Sequence, residues 1–306
     1  MVETIINIAL LFVLPFLFLG LINRVKSRWA GRQGPSILQP FRDFVRLMKK
    51  GEVISTTSSF VFRIAPSVTF AAIIAAGLIV PLAGGKSVVS FDADLILFAY
   101  LLGVGKFLTV TGAMDTGSPF EGMGASREVS FSALVEPAFF MIIGSLALIT
   151  GGLSFEKIFS ISRFGELSVL VLPLGVIALF IMLLAEGCRV PVDDPNTHLE
   201  LTMIHEVMVL DNSGPDMGFI VYAAGMKMIV LGALIANLII PSGFPFWASL
   251  VSFIAIQALL AIIIGTIESV MARLRMSHVP QFLLFMAAIS VVIISTAVLF
   301  ISGGIK

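Results

Sequence analysis

Eight stretches of this chain are apolar for about twenty residues at a time, at roughly 4–22, 64–83, 93–114, 133–151, 167–186, 218–240, 246–267 and 282–303. A helix rises about 1.5 Å per residue, so each stretch matches a hydrocarbon core ~30 Å thick. Lipid gives the backbone no hydrogen-bond partner, so runs this continuous must be helices; a barrel would instead show ~10-residue segments of alternating character. The expected fold class is all-α. It is a polytopic membrane helix bundle with about eight transmembrane helices and a cytoplasmic amphipathic interfacial helix, forming a single integral membrane domain over 1–306. No internal repeat, low-complexity tract or composition shift marks off a second unit. Glu3 precedes the first block, no basic stretch leads it, and the basic cluster follows it, so it reads as a retained first span.

Basic residues orient the bundle. The first connection holds Arg24, Lys26, Arg28, Arg32, Arg42, Arg46, Lys49, Lys50 and Arg63, and the third, fifth and seventh add Arg127, Arg189, Arg273 and Arg275. The even connections hold only Lys86, Lys157 and Arg163. The positive-inside rule makes the odd connections cytoplasmic and leaves both termini outside. Cys188 is the single cysteine. An iron-sulfur cluster needs several Cys ligands and a c-type haem a Cys pair, so neither can be built here. Any redox chemistry must run through a partner.

Three cytoplasmic segments carry the chemistry. In the first connection, Leu38–Glu52 places Phe41, Phe44, Val45 and Met48 on one helical face and Arg42, Asp43, Arg46, Lys49 and Lys50 on much of the other. This helix either anchors topology at the membrane surface or also shapes a cavity or docks a partner. In the third, Asp115, Glu121, Arg127, Glu128 and Glu136 gather among Gly117, Gly122 and Gly124, glycines that would permit irregular backbone. Glu136 lies several residues into an apolar run.

The fifth connection, RVPVDDPNTHLELTMIHE, collects Arg189, Asp193, Asp194, His198, Glu200, His205 and Glu206 in a chain of only 12% charged residues. Asp194-Pro195 reads as a helix N-cap with proline at the first helical position, which predicts a short amphipathic helix continuing through His205 and Glu206. Zinc binding by an HExxH motif fails, because His205-Glu206 is followed by Val209 where the second histidine belongs. His198 and His205, two turns apart on such a helix, could share an ion only with help from elsewhere, and ordinary hydrogen-bonding histidines explain them as well.

Within the spans, Lys106 and Lys227 demand an explanation, since a charge at a helix centre costs ~2.5–3.5 kcal/mol on insertion scales and commonly marks an ion route. Snorkelling or a neutral buried lysine is the structural alternative. Their expected partners are Glu136, Glu186 and Glu268, the last two closing the fifth and seventh spans. Carboxylates so placed respond to a change of charge next door, which is the chemistry of a relay or a switch.

At these residues the chain resembles a known family. Glu186, Arg189, Pro191, Asp193, Pro195, Glu200 and Leu201 fall in register with the cytoplasmic loop E-x-x-R-x-P-F-D-L-P-E-A-E-x-E-L of the H-type (first) membrane-arm subunit of respiratory complex I. RQGPSILQPFRDFVRLMKKGE is similar to that family's first-loop motif, and Arg127 and Glu136 keep its R-x8-E spacing. Asn196 and His198 stand where quinone-reducing members carry acids. VPVDDPNTHLELTMIHE and ESVMARLRMSHVPQFL are closer to the membrane anchor subunits of energy-converting group 4 [NiFe] hydrogenases.

The resemblance implies a prokaryotic inner-membrane subunit that docks a hydrophilic electron-transfer arm and couples its reaction to proton or sodium translocation. The implied partners are [NiFe]-hydrogenase-like large and small subunits with iron-sulfur proteins, and antiporter-like membrane subunits. The [NiFe] centre and clusters would lie in those partners, with no cofactor or metal on this chain, no catalytic residue of its own and no nucleic-acid partner. The implied coupling set is Glu121, Glu136, Glu186, Asp193, Asp194, Glu200, Glu206, Glu268, Lys106 and Lys227, with Arg127 and Arg189 holding carboxylates in place. A quinone-binding complex I subunit, a passive anchor and a stand-alone transporter are the alternatives; the last lacks the internal repeat usual in such folds.

Overall fold

The structure, a computed structural model, describes residues 1–83, 86–163, 165–194, 203–241 and 243–302. In chain order the helices are α1 (Val2–Trp29), α2 (Gln39–Met48), α3 (Phe60–Ile79), α4 (Asp94–Asp115), α5 (Pro119–Thr150), α6 (Phe155–Ile158), α7 (Gly165–Glu186), α8 (Gly214–Ile239), α9 (Phe246–Val270) and α10 (Val279–Ser302). All except α2 and α6 are long and apolar enough to cross a bilayer, and among the described residues there is no strand. The protein is a multi-pass membrane helix bundle.

The central helix is α8, which packs against α1, α2, α3, α7 and α9. Small residues at seven-residue intervals let its neighbours close in, as membrane helix packing requires. A Cβ on Gly225 would meet the Leu19 side chain of α1 at 2.9 Å, and one on Gly232 the Gln257 amide of α9 at 2.6 Å. Gln257 also donates to the Ile229 carbonyl at 3.2 Å, so a buried polar side chain ties two helices where no water competes. The start of α3 is fastened to the end of α4: Asp115 Oδ2 accepts from the N–H groups of Ser59 (2.7 Å) and Phe62 (3.2 Å), donors that an isolated helix end would leave orphaned.

The amphipathic helix is α2. Phe41 and Phe44 stand against Phe16 of α1, with ring centroids 5.3 and 5.7 Å apart, and Phe44 lies 5.1 Å from Tyr222 of α8. Met48 presses on Gly218, where a Cβ would come within 2.4 Å of its methyl. The apolar face thus rests on the bundle, with Phe41 still about half exposed, and the basic face remains outward.

Two expectations need correction. The helix that carries the fourth apolar block begins well before residue 133: α5 starts at Pro119, so Glu121, Gly122, Gly124, Arg127 and Glu128 are helical rather than loop. Only Gly117, at φ +72°, takes the left-handed turn that links α4 to α5. The polar residues survive in a helix because one face of this segment is covered by protein rather than lipid. The helix expected to run from Asp194 through Glu206 is also not found at its C-terminal end. Met203–His205 are not helical, and Glu206–Val209 make a single 3-10 turn. Asp193 accepts three backbone N–H groups here, from Asp194, Ile204 and His205, which competes with a helical ladder. The proposed N-cap partner Pro195, together with Asn196, His198, Leu199, Glu200, Leu201 and Thr202, lies outside the described residues.

Candidate functional site

Lys106, on α4, is the hub of a buried ion network. Its Nζ lies 2.5 Å from Glu186 Oε1 at the end of α7, 3.3 Å from Glu136 Oε1 and 3.5 Å from Glu128 Oε1 on α5, and donates to Ser132 Oγ at 2.8 Å. Glu128, Ser132 and Glu136 recur every four residues, so α5 turns one polar edge toward α4. On the other side of Glu186, Lys227 Nζ of α8 reaches Oε2 at 2.5 Å. One carboxylate, among those expected from the sequence, therefore bridges both lysines.

From Glu128 the network leaves the membrane helices. Glu128 Oε2 is 3.1 Å from His205 Nε2, His205 Nδ1 is 3.3 Å from Asp193 Oδ2, and Asp193 Oδ1 is 3.1 Å from Arg273 Nη2 in the connection between α9 and α10. Cations and anions alternate from Lys227 to Arg273. His205 binds both neighbours by N–H donation only when its ring is protonated at both nitrogens. Burial disfavours that form, but the Cys188 sulfur, the Glu128 carboxylate and the Asp193 hydrogen bond more than offset it, and the His205 pKa is raised well above its ordinary value. Burial likewise pushes Asp193 up, yet the bonds and charge of His205, with Arg273, bring it below the usual carboxylate range.

The segment carrying His205 is pinned to α5. A Cβ on Gly124 would sit 2.4 Å from Val207 and 2.8 Å from the Ile204 carbonyl, and Arg127 Nη1 donates to the Met203 carbonyl at 2.8 Å. Leu274 N–H donates to the Pro191 carbonyl at 3.0 Å, joining the fifth and seventh connections. A cavity of about 240 Å³ opens beside the network. Its walls are apolar side chains of α1, α3, α4 and α8, among them Leu19, Phe62, Ile73, Leu102 and Val221; Lys106, Glu128, Glu186, Cys188, His205, Glu206 and Lys227 border its polar end. No α2 residue borders it among the described residues.

The remaining candidates fall elsewhere. The Glu268 side chain is buried and serves Arg189 (Nη1–Oε1 3.2 Å) and Lys26 (Nζ–Oε2 2.7 Å), not Lys106 or Lys227. Arg189 thus holds a carboxylate, from the seventh span. Glu121, fully buried near the start of α5, accepts the Asp211 N–H at 3.1 Å; fifteen residues before Glu136, it stands ~22 Å away along the helix. Asp194 donates its N–H to Asp193, and Glu206 borders the cavity. Glu200 lies outside the described residues. Glu128, His205 and Arg273 were absent from the expected coupling set. The four-residue repeat of Glu128, Ser132 and Glu136 was the available signal for the first; for His205 and Arg273 no sequence spacing announces the contacts.

Comparisons with known proteins agree with one another. Residues 2–300 match the profile of the NADH dehydrogenase family. Hydrogenase-4 component C of Escherichia coli (strain K12) is 32% identical over 234 residues, 76% of this chain and 73% of that protein. Formate hydrogenlyase subunit 4 of the same organism is 27% identical over 289 residues, covering 90% of this chain and 92% of its own. The H-type NADH-quinone oxidoreductase subunit of Rickettsia africae (strain ESF-5) is 26% identical over 214 residues, 66% of this chain and 61% of that one. The fold is shared with a chain of the membrane-bound sulfane sulfur reductase, an archaeal respiratory membrane complex, at a TM-score of 0.82 and 23% identity over 97% of this chain and 98% of that chain.

Proposed function

The chain belongs to the NADH dehydrogenase family, and from that premise we propose that it is the membrane subunit of a multi-subunit redox complex of hydrogenase type, coupling electron transfer in a docked hydrophilic arm to ion movement. The observation that carries the reading is the unbroken alternation of charge from Arg273 and Asp193, at the cytoplasmic face assigned by the positive-inside rule, to Glu186 and Lys227 at membrane depth. In this reading both termini face outward across a prokaryotic inner membrane. The partners are [NiFe]-hydrogenase-like large and small subunits with iron-sulfur proteins, and antiporter-like membrane subunits.

Such metal centres belong to the partners. A cluster needs several Cys ligands, and this chain has a single cysteine, Cys188, which supports placing the iron-sulfur centres in the partners. Its own groups do the following. A charge change above the fifth connection acts first on Asp193 and, through it, on His205. The imidazolium passes a proton to Glu128, to which it is bonded. A neutral Glu128 has a weaker claim on Lys106, which leaves the ammonium to Glu186 and Glu136 and shifts the balance at Lys227. Charge displacement thus runs inward through this chain's own acids and bases.

Glu186→Gln and Glu128→Gln in the assembled complex, reconstituted in vesicles, test the reading. Electron transfer should persist while ion translocation falls at least tenfold; coupling left intact in both variants would remove the network from the mechanism. Nickel and iron determination on the complex purified through this chain tests the hydrogenase assignment. Iron without nickel in an active complex would replace it with a quinone or sulfur compound as acceptor. The cavity favours quinone as the second reading, because an apolar wall leading to charged groups suits a ring on a hydrophobic tail. Quinone reduction by the purified complex decides between the two.

A further inference from the structure

Glu136 is in the wrong place for a residue facing lipid. Its Oε1 lies 3.3 Å from Lys106 Nζ, which fixes its depth; Lys106 is nine residues, ~13 Å, inside the Asp115 end of α4. At that depth the side chains of Lys106, Glu186 and Lys227 are 13%, 7% and 18% exposed, whereas that of Glu136 is 49% exposed on the outside of the bundle. Ionisable side chains in spans face a protein interior or a wet cavity, because hydrocarbon cannot solvate them.

The surroundings of Glu136 are equally unlike a lipid-facing surface. Ser126, Ser130, Ala133, Pro137, Phe140 and Gly144 follow at intervals of three and four, the first five exposed and Gly144 with open space before it. Apart from Phe140 and the neighbouring Val129, which are large and exposed, this is a seam of small and polar residues of the kind that lets a second helix approach closely and hydrogen-bond. By contrast α10 turns outward Leu284, Phe285, Val291, Val292, Val298 and Leu299 and contains no ionisable residue.

We infer that this seam of α5 is the docking face for a membrane-spanning helix of a partner subunit that brings a hydrogen-bond-donating side chain, best a basic one, against Glu136. The geometry argues for a donor: Glu128 and Glu186 have His205 and Lys227 besides Lys106, whereas among the described residues the ion contact of Glu136 is through Oε1 to Lys106 alone, so its half-exposed carboxylate keeps acceptor capacity open outward. The inference rests on the reading of the chain as one subunit of a larger membrane complex. Its test reads contact rather than coupling, so either can fail alone.

Phe140 replaced by the photoreactive benzoyl-phenylalanine, in the complete complex in native membranes, should form an adduct with a peptide from a span of another subunit. That peptide should carry Lys, Arg, His or another donor within one turn of the crosslink. An adduct with lipid alone, with a second copy of this chain, or with a span lacking any donor would overturn the proposal. A spin label at Ala133→Cys, in a Cys188→Ser background, supplies an answer even where no adduct forms. In the complex its collision rate with dissolved oxygen should be several-fold below that of a label at Val292→Cys on α10. Equal rates would mean that the seam faces lipid, and the docking face would be lost.

Discussion

Removing the hub charge should separate structure from coupling most clearly. Lys106→Met deletes one ammonium at 2.5, 3.3 and 3.5 Å from three carboxylates. At an effective dielectric near 20 each attraction is worth ~5–7 kcal/mol gross, but the desolvation already suffered by both sides cancels most of it. Losing one partner of a buried pair costs ~3–5 kcal/mol. A second route gives the same scale. The orphaned carboxylates can instead take up a proton, and for an ordinary glutamate that costs about 3.7 kcal/mol at pH 7. The variant should therefore be destabilised by ~3–4 kcal/mol, a fall in Tm of roughly 6–15 °C for a chain of this size.

The pH dependence fixes the cause. The stabilisation depends on ionised carboxylates, so it is present above their ordinary pKa and lost as pH falls; the deficit of the variant should shrink toward pH ~4. The assay is thermal unfolding in mild detergent, followed with a thiol-reactive dye that reports exposure of Cys188. An unchanged Tm at pH 7, or a deficit constant from pH 4 to 8, would refute the reasoning, because a lysine in real electrostatic contact with three acids cannot be removed silently.

Other consequences are less elaborate. His205→Gln should cost ~1–3 kcal/mol near pH 6, and the difference from wild type should vanish as pH rises through the raised histidine pKa into the alkaline range, read as Tm against pH. Asp193→Asn should cost ~2–3 kcal/mol and hasten proteolysis within 187–213, the penalty fading in acid because the lowered Asp193 pKa stabilises only above it. Gly124→Leu drives a side chain into Val207 and the Ile204 carbonyl and should cost ~1–3 kcal/mol or more, with coupling reduced even though no charge changes.

The spans were legible because hydrocarbon leaves the backbone only one solution, and the eight apolar blocks state it directly. Where protein replaces lipid that signal fades. The first turns of α5 read as loop because Glu121, Arg127 and Glu128 look soluble, yet Gly124 and Ala125 are buried under the segment that carries His205. The pairing of Lys106 and Lys227 with Glu186 was expected by type and depth, and so was Glu136 beside Lys106. Glu268 was not separable from them by either criterion, since the packing of α9 on α1 gives it to Lys26 and the fold of the fifth connection gives it to Arg189. Asp193 was singled out as one acid among several, and its role as acceptor for three backbone N–H groups could not be read from its neighbours in sequence.

The packing of α2 against Tyr222 has a consequence in time. Met48 leaves the ribosome 174 residues before Tyr222. At ~5–20 residues per second, α2 rests on Phe16 alone for roughly 10–35 s before Tyr222 and the Gly218 notch exist. Its strong two-sidedness is what makes the wait safe: the basic face holds to lipid headgroups while Phe41 and Phe44 rest in the interface against Phe16 of α1, until α8 arrives and Tyr222 closes on Phe44.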